Sequence, residues 1–213
     1  ILGHIVDTYR AAGIREAIVV RGYRKDQINL PGLIYANNEQ HDSTGELVSL
    51  SEGLKATDDN SQALVVSYGD VLFNRYILQI LEVEGEDFVI AVDTDWQDSV
   101  NKNRAADYVS CSEPYSRSAF YHRVLLKEIG EDLAPQGVDG EWMGFLRVAA
   151  TAMPRFRQAV SAMIAAPGNE QAKLHHLLTQ LLRQGESIRV VYTSGHWLDV
   201  DTLDDVISAG KFA

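Results

Sequence analysis

The stretch ALVVSYGDVLFNRYILQILEVEGEDFVIAV, residues 63–92, decides the fold because it contains a strand, a helix and a second strand. Ala63–Val66 and Phe88–Val92 are short, unbroken apolar runs, which is the pattern of strands buried on both faces. Between them, apolar residues recur at helical spacing over residues 76–81. Such alternation indicates a parallel sheet covered by helices, in which ligands bind at the carboxyl ends of the strands.

The segment before this stretch continues the alternation. Apolar spacing predicts a helix over residues 1–12, and short branched runs predict strands at 17–20 and 33–35. Ser43, with Glu46 three residues later, has the capping-box pattern and predicts the start of another helix.

The segment after it completes a single domain. The predicted elements are strands at 108–111, 123–129 and 142–148, helices at 153–165 and 171–182, a strand at 188–192 and a helix at 202–209. The three strands between 107 and 148 have no full helices between them, which indicates a small antiparallel extension. The sequence therefore predicts an α/β domain with a Rossmann-like mixed, mainly parallel sheet flanked by helices.

The composition is that of a folded acidic domain. The 213 residues are 46% hydrophobic and 23% charged, which excludes a disordered chain and a bare coiled coil. The net charge of -11 would repel nucleic acid and anionic lipid, so neither is expected as a partner. Cys111 is the only cysteine, which excludes an internal disulfide. Because no apolar stretch approaches the roughly 20 residues of a membrane span and residues 1–6 lack the pattern of a secretory signal, we expect a cytoplasmic protein.

Asp70, Asp199 and Asp201 are the candidate metal ligands. Asp70 follows a predicted strand, and Gly69 before it allows close approach of a ligand. Asp199 and Asp201 alternate in an extended segment, which points both carboxylates to one side. A divalent cation would relieve their repulsion, and hard oxygen ligands suit Mg²⁺. The other interpretations are a turn role for Asp70 and helix capping by Asp201 or Thr202.

Four stretches carry a resemblance to a known family: NNEQHDSTGELVSL at 37–50, SYGD at 67–70, GEWMG at 140–144 and HWLDVDTLDD at 196–205. With them the chain resembles the nucleotidyltransferase superfamily, in its branch of small-molecule cytidylyltransferases. Within that branch it is most similar to the cytidylyltransferase domain of bifunctional phosphoenolpyruvate mutase/phosphonate cytidylyltransferases, of the type found in the fosfomycin pathway. The resemblance runs over nearly the whole chain.

This resemblance implies a fold, an activity and partners. The fold is that of a GT-A-like nucleotidyltransferase. The activity is Mg²⁺-dependent transfer of CMP from CTP to a small phosphonate, with release of pyrophosphate, in phosphonate and antibiotic biosynthesis. 2-Hydroxyethylphosphonate is the first expected acceptor and 2-aminoethylphosphonate the next. Fusion to a phosphoenolpyruvate mutase domain and homo-oligomer formation are left open.

The resemblance also assigns residues. Asp70 matches the first metal-binding aspartate of the family, and Asp199 and Asp201 match its later acidic pair. The positions that match the nucleotide site are Ser43, Thr44, Gly45, Ser49, Tyr68 and Gly69. Glu141 and Trp142 match the stretch that faces the acceptor pocket. The expected catalytic residues are Asp70, Asp201, Lys102 and Arg104.

Some of these residues have a second interpretation. Lys102 and Arg104 follow a predicted strand and could hold the acceptor's phosphonate, because an acidic protein that binds an anion needs local positive charge. The alternative interpretation is that they are solvated loop charges, and we favour the functional one. Helix capping would explain Ser43, and core packing would explain Trp142.

Two features keep other functions open. Family members begin with a strand and a glycine-rich loop that grip the triphosphate, and residues 1–213 supply no such stretch, so we expect a single domain that lacks this segment and belongs to a longer polypeptide. Asp199-Val200-Asp201 also has the form with which nucleotide-sugar glycosyltransferases hold a metal diphosphate. The alternatives are glycosyl transfer through this motif, and a non-catalytic nucleotide-binding domain that lacks the phosphate loop. Cytidylyl transfer to phosphocholine is the alternative within the same family.

Overall fold

The computed structural model describes residues 1–57, 62–98, 105–118, 122–210 and 212. The helices are α1 Leu2–Ala11, α2 Glu46–Lys55, α3 Tyr76–Ile80, α4 Met153–Ala165, α5 Leu174–Arg183 and α6 Leu203–Ala209. The strands are β1 Ile18–Arg21, β2 Ile34–Asn37, β3 Leu64–Val66, β4 Val71–Phe73, β5 Phe88–Asp93, β6 Tyr108–Cys111, β7 Leu126–Gly130, β8 Gly140–Val148, β9 Ile188–Thr193 and β10 Trp197–Asp199. Within these described ranges, no helix has the length and apolar character needed to cross a membrane.

A mixed sheet of six strands forms the centre of the molecule. Five strands follow the order β7-β6-β8-β5-β9, and β3 pairs with the end of β8. β8 runs antiparallel to β3, β5 and β6, whereas β5 and β9 are parallel. Four strands therefore run in one direction: β3, β5, β6 and β9. β8 lies among them and runs in the opposite direction.

The position of β8 differs from the prediction. The sequence predicts residues 142–148 as part of a small antiparallel extension; β8 is antiparallel to its neighbours, but it lies inside the sheet with partner strands on both sides. Every residue of β8 except Arg147 is buried. A local apolar pattern reports burial and not which strands are neighbours, so the central position could not be read from it. β6 and β7 do form an antiparallel edge.

The core lies on both faces of the sheet. Phe88, Ile90 and Val92 of β5 pack in a cluster with α2, α4 and α5, and Val89 and Ala91 pack in another with α1, α3, β4 and β10. Successive residues of a strand point to opposite faces, so a fully buried strand needs a layer on each side. The prediction of a mixed α/β sheet flanked by helices is confirmed.

β1 and β2 form a separate parallel pair against which α2 packs. Among the described residues, β1 pairs with β2 alone and β3 pairs with β8 alone. Each of these two strands therefore has one edge without a described strand partner. The expectation that a further strand and loop are missing from residues 1–213 stays a prediction.

The start of α2 also differs from the prediction. The sequence predicts that Ser43 caps this helix with Glu46, but the N-cap is Gly45, and the Ser43 hydroxyl donates to the carbonyl of Gln40 at 3.2 Å. A Cβ on Gly45 would lie 2.7 Å from the carbonyl oxygen of Ala172. The predicted capping box is wrong, because close packing on the connection between α4 and α5 sets the helix start.

We expect Gly144→Ala to lower the free energy of unfolding by about 2–4 kcal/mol. Gly144 has a φ of +78°, and a Cβ there would lie 2.4 Å from Cδ2 of the Tyr68 ring. Urea denaturation measures the change. Gly3→Ala is the control: Gly3 lies in α1 with no atom near its Cβ position, so this change should stabilise by up to about 1 kcal/mol. A Gly144→Ala variant as stable as the Gly3→Ala variant would contradict the packing of Gly144 on Tyr68.

We expect Cys111 to resist alkylation in the folded protein. The residue is 5% exposed, and burial raises the pKa of its thiol to about 12. At pH 8, iodoacetamide should therefore react at least ~10³-fold more slowly than with the unfolded chain, whose thiol has an ordinary pKa near ~8.5. The folded pKa lies above the unfolded one, so the stability from the protonated thiol is full below about pH 8.5 and is lost as the pH rises toward 12. Equal rates in buffer and in urea would show that the thiol is accessible.

Candidate functional site

Three aspartates converge where β4 meets β10. The two strands pair antiparallel with Val71 opposite Asp199, and the amide of Val200 donates to the carbonyl of Asp70 at 3.2 Å. This register sets Asp70 against the two later acids. One carboxylate oxygen from each of Asp70, Asp199 and Asp201 lies within 4.8 Å of the other two. We call these residues the aspartate trio.

The trio concentrates negative charge at one point. Burial of its carboxylate raises the pKa of Asp70 above the ordinary value, a hydrogen bond from its own amide lowers it, and the charge of Asp201 raises it again. A divalent cation would remove this repulsion. Oxygen-only ligands at this spacing suit a hard ion, and Mg²⁺ commonly takes one or two carboxylates together with substrate phosphates. The donor set therefore fits a divalent metal ion.

Helix capping occurs in the same segment. Thr202 is the N-cap of α6, and its Oγ1 accepts from the amide of Asp205 at 3.3 Å. The Asp205 carboxylate accepts from the amides of Thr202 and Asp201 at 2.7 and 3.2 Å. The cap uses the side chains of Thr202 and Asp205, so it is compatible with metal binding by the carboxylate of Asp201.

A buried aspartate positions the start of β10. Asp93 ends β5 and is fully buried. Its carboxylate accepts from the amides of Asp95 and Gly195 at 2.9 and 3.1 Å and from the indole of Trp197 at 2.8 Å. Gly195 and His196 both have positive φ, 58° and 62°, in the turn between β9 and β10. Asp93 therefore fastens this left-handed turn to the end of the central sheet.

One buried amide holds the loop predicted to bind the nucleotide. Asn38 donates to the hydroxyls of Thr44 and Ser49 at 3.0 and 3.1 Å, and it accepts from the amide of Gln40 at 3.0 Å. The hydroxyls of Ser43 and Thr44 donate to the carbonyl of Gln40 at 3.2 and 2.8 Å. These hydroxyls thus shape the loop, and their contact with a nucleotide stays a prediction.

Glu46 joins this loop to the rest of the core. Its Oε2 accepts from the hydroxyl of Tyr68 and from the amide of Leu174, both at 2.9 Å. Burial raises the pKa of Tyr68 far above its ordinary value, and the charges of Glu46, Asp107 and Asp70 raise it further. Tyr68 is therefore a neutral hydrogen-bond donor at physiological pH, in the electrostatic field of Asp70.

The predicted acceptor-pocket residues lie in β8. Glu141 is buried and lies opposite Asp93 of β5 in the sheet register. Trp142 is also buried; its indole donates to the carbonyl of Phe145 at 2.9 Å, and its ring lies 5.9 Å from that of Tyr68. Trp142 is therefore a core residue, and a contact of either side chain with an acceptor stays a prediction.

The other predicted residues are not all brought together. Gly69 has no atom within 4 Å of the position of a Cβ, which leaves open space next to Asp70. Lys102 and Arg104 lie outside the described residues, so their role stays a prediction. The structure thus assembles the three acids, with Tyr68 near them.

The sequence does not single out Asn38 or Asp93, and it does not predict the contacts of Glu46 with Tyr68 and Leu174. Asp93 carries the same signal as Asp70, an acid at the end of an apolar strand. Asn38 and Glu46 lie in the stretch that carries the resemblance. Their partners are set by tertiary packing, which a local sequence pattern does not predict.

No family model matches the sequence. Co-chaperonin GroES proteins of Lactobacillus acidophilus and Geobacter metallireducens are 27% and 29% identical to it over 84 residues, which is 38% of this chain and 89% and 88% of theirs. Identity this low over two fifths of the chain shows no family.

Solved structures are similar over nearly the whole chain. The inositol-1-phosphate CTP transferase from T. maritima matches with a TM-score of 0.73 and 16% identity, over 96% of this chain and 77% of that chain. CTP:phosphocholine cytidylyltransferase from Streptococcus pneumoniae matches with a TM-score of 0.64 and 11% identity, over 98% of this chain and 83% of that chain. A protein from Bacillus anthracis assigned as a glucose-1-phosphate thymidylyltransferase matches with a TM-score of 0.68 and 14% identity, over 99% of this chain and 80% of that chain. The chain has the fold of these nucleotidyltransferases.

We expect Glu46→Ala to lower the free energy of unfolding by about 1–3 kcal/mol, because the Tyr68 hydroxyl and the Leu174 amide lose their acceptor. Chemical denaturation measures this loss. Glu52→Ala on the same helix is the matched control: Glu52 pairs with the exposed Lys55, and its removal should change stability by less than about 0.5 kcal/mol. Equal losses would argue against the linking role of Glu46.

Proposed function

We propose that this chain is a cytidylyltransferase that transfers CMP from CTP to a small phosphonate and releases pyrophosphate. The observation that carries the proposal is the aspartate trio, since three carboxylates at one strand pair offer oxygen ligands for a divalent cation. The fold shared with CTP-using transferases over almost all of this chain supports the nucleotide class. The motifs described above support the phosphonate acceptor.

The reaction sets the demands on the site. A phosphonate oxygen of the acceptor forms a bond to the α-phosphorus of CTP, and the bond from that phosphorus to the oxygen bridging to the β-phosphate breaks, so pyrophosphate leaves with the electron pair. Both reactants are anions, so positioning and charge neutralisation supply most of the rate enhancement. Mg²⁺ held by Asp70, Asp199 and Asp201 would supply positive charge at the phosphate oxygens.

The nucleotide is proposed to lie between the trio and the loop that begins at Ser43. Gly69 leaves open space beside Asp70 through which a phosphate can approach the backbone. Thr44 and Ser49 are held in place by Asn38, so their lone pairs are oriented before a ligand binds. This pre-organisation lowers the entropy cost of binding.

The acceptor is proposed to be an anion held by Lys102 and Arg104, next to Glu141 and Trp142 of β8. The net charge of -11 supports this assignment, because an acidic protein must concentrate its few cations where a phosphonate binds. 2-Hydroxyethylphosphonate is the first candidate acceptor, and 2-aminoethylphosphonate is the second.

The decisive experiment supplies each nucleoside triphosphate with Mg²⁺ and a panel of 2-hydroxyethylphosphonate, 2-aminoethylphosphonate and phosphocholine, and measures pyrophosphate. We expect release from CTP with a phosphonate, and its loss when EDTA removes the metal. Faster turnover with phosphocholine would show that phosphocholine, and not a phosphonate, is the acceptor. Release of a nucleoside diphosphate from nucleotide sugars, or CTP binding without any turnover, would overturn the proposed reaction.

We expect Asp70→Asn and Asp201→Asn each to lower kcat/KM for pyrophosphate release at least ~100-fold, since each removes a metal-binding charge with little change in volume. Asp7→Asn is the control: Asp7 is an exposed acid of α1, 3.6 Å from Arg10, and its variant should keep full activity. Unchanged activity in both trio variants would show that the metal is held elsewhere.

A further inference from the structure

A second group of metal-binding side chains lies outside the aspartate trio. Asp107, Glu131 and His175 each offer one ligand atom, and these atoms lie within 4.8 Å of one another. Asp107 directly precedes β6, Glu131 directly follows β7, and His175 lies in the first turn of α5. Three separate elements of the fold therefore meet here. We call this group the 107–131–175 cluster.

Two of its ligand atoms are buried without a hydrogen bond. Nδ1 of His175 and Oδ1 of Asp107 form a close ion pair at 2.6 Å that lacks the geometry of a hydrogen bond, and neither atom has a hydrogen-bond partner elsewhere among the described residues. His175 as a whole is only 6% exposed. Buried polar atoms are normally paired, and each exception calls for an explanation such as an ion. A cation bound by both atoms would satisfy them together.

We propose that the 107–131–175 cluster binds one divalent transition-metal ion of the Zn²⁺ type, independently of the aspartate trio. An imidazole nitrogen with two carboxylate oxygens suits Zn²⁺, whereas the all-oxygen trio suits Mg²⁺. Ligand atoms at about 2.1 Å from a tetrahedral ion lie about 3.4 Å apart, so small side-chain rotations must separate His175 from Asp107 and adjust Glu131. The two sites differ in the class of ion that they select.

The surroundings leave access for the ion and for a fourth ligand. An open cavity of about 360 Å³ is lined by Glu131, His175 and their neighbours, including Lys173 and Glu128. Three protein ligands on a tetrahedral ion leave one position, which water from the cavity can fill. The ion would tie the ends of β6 and β7 to the start of α5.

One cation competes for the site. The ammonium of Lys173 pairs with Glu131, and these side chains are 42% and 37% exposed. His176 lies beside His175, with ring centroids 4.0 Å apart, and its Nδ1 accepts from the amide of Lys173. Glu131 can bind a metal ion only when Lys173 has moved away from it. Both side chains are exposed, so this movement is unobstructed. Removal of this ammonium should therefore strengthen metal binding.

The test uses the whole chain, stripped of metal with EDTA, and adds ZnCl₂ or CoCl₂ alone. We expect one ion per chain by titration calorimetry and visible Co²⁺ absorption of a four-coordinate site. Zn²⁺ at 100 times Kd should raise Tm by about 5–10 °C. The same uptake should persist in the Asp70→Asn, Asp201→Asn double variant, which separates this site from the proposed catalytic one.

Matched variants identify the ligands. Glu131→Gln, at an exposed position where folding is not at risk, should weaken Zn²⁺ binding at least ~10-fold, and Lys173→Met should strengthen it. Glu128→Gln alters a neighbouring exposed acid of β7 that lines the same cavity, and it should leave Zn²⁺ binding unchanged. If the two glutamine variants bound Zn²⁺ with equal affinity, Glu131 would not be a ligand. The cluster would then be only the ion pair of His175 with Asp107, which would overturn the proposal. So would loss of Zn²⁺ uptake in the trio double variant.

Discussion

The antiparallel pairing of β4 with β10 is the constraint on which the candidate site depends. Each strand has three residues, yet their register sets Asp70 beside Val200 and so gathers three carboxylates. Asp93 secures the other end of this arrangement through the Trp197 indole. Because strand side chains alternate between faces, a slip of one residue would turn Asp199 away and disperse the trio. The arrangement of the three carboxylates therefore exists in one register only.

Local pattern is enough to predict elements whose burial is periodic and acids at characteristic positions. The predicted helix 153–165 coincides with α4, and the apolar run 88–92 forms most of β5. Asp70 could be selected because an acid after an apolar strand is conspicuous. Asp199 and Asp201 could be selected because their alternation in an extended segment points both carboxylates to one side. The helix and strand predictions succeed because periodicity is a property of short segments, and the functional role of the three acids stays a prediction.

Partners that are distant in the chain could not be predicted. Glu46 contacts Tyr68 and Leu174, which are 22 and 128 residues away, and only the packed structure brings them to one oxygen. The start of α2 was mispredicted at Ser43 because the backbone near Ala172, across the interface, decides it. The central position of β8 could not be predicted for the same reason. Global packing decides which strands pair, and the pattern of a single strand does not report it.

The acids of the trio also become available at very different times during translation. The ribosome adds about 5–20 residues per second, so a nascent chain carries Asp70 alone for several seconds before Asp199 and Asp201 emerge. A lone carboxylate holds a hydrated Mg²⁺ ion weakly, because Mg²⁺ sheds its water reluctantly. Any cation that the trio binds must therefore be captured after β10 has docked, so it would stabilise the completed fold without guiding its early steps.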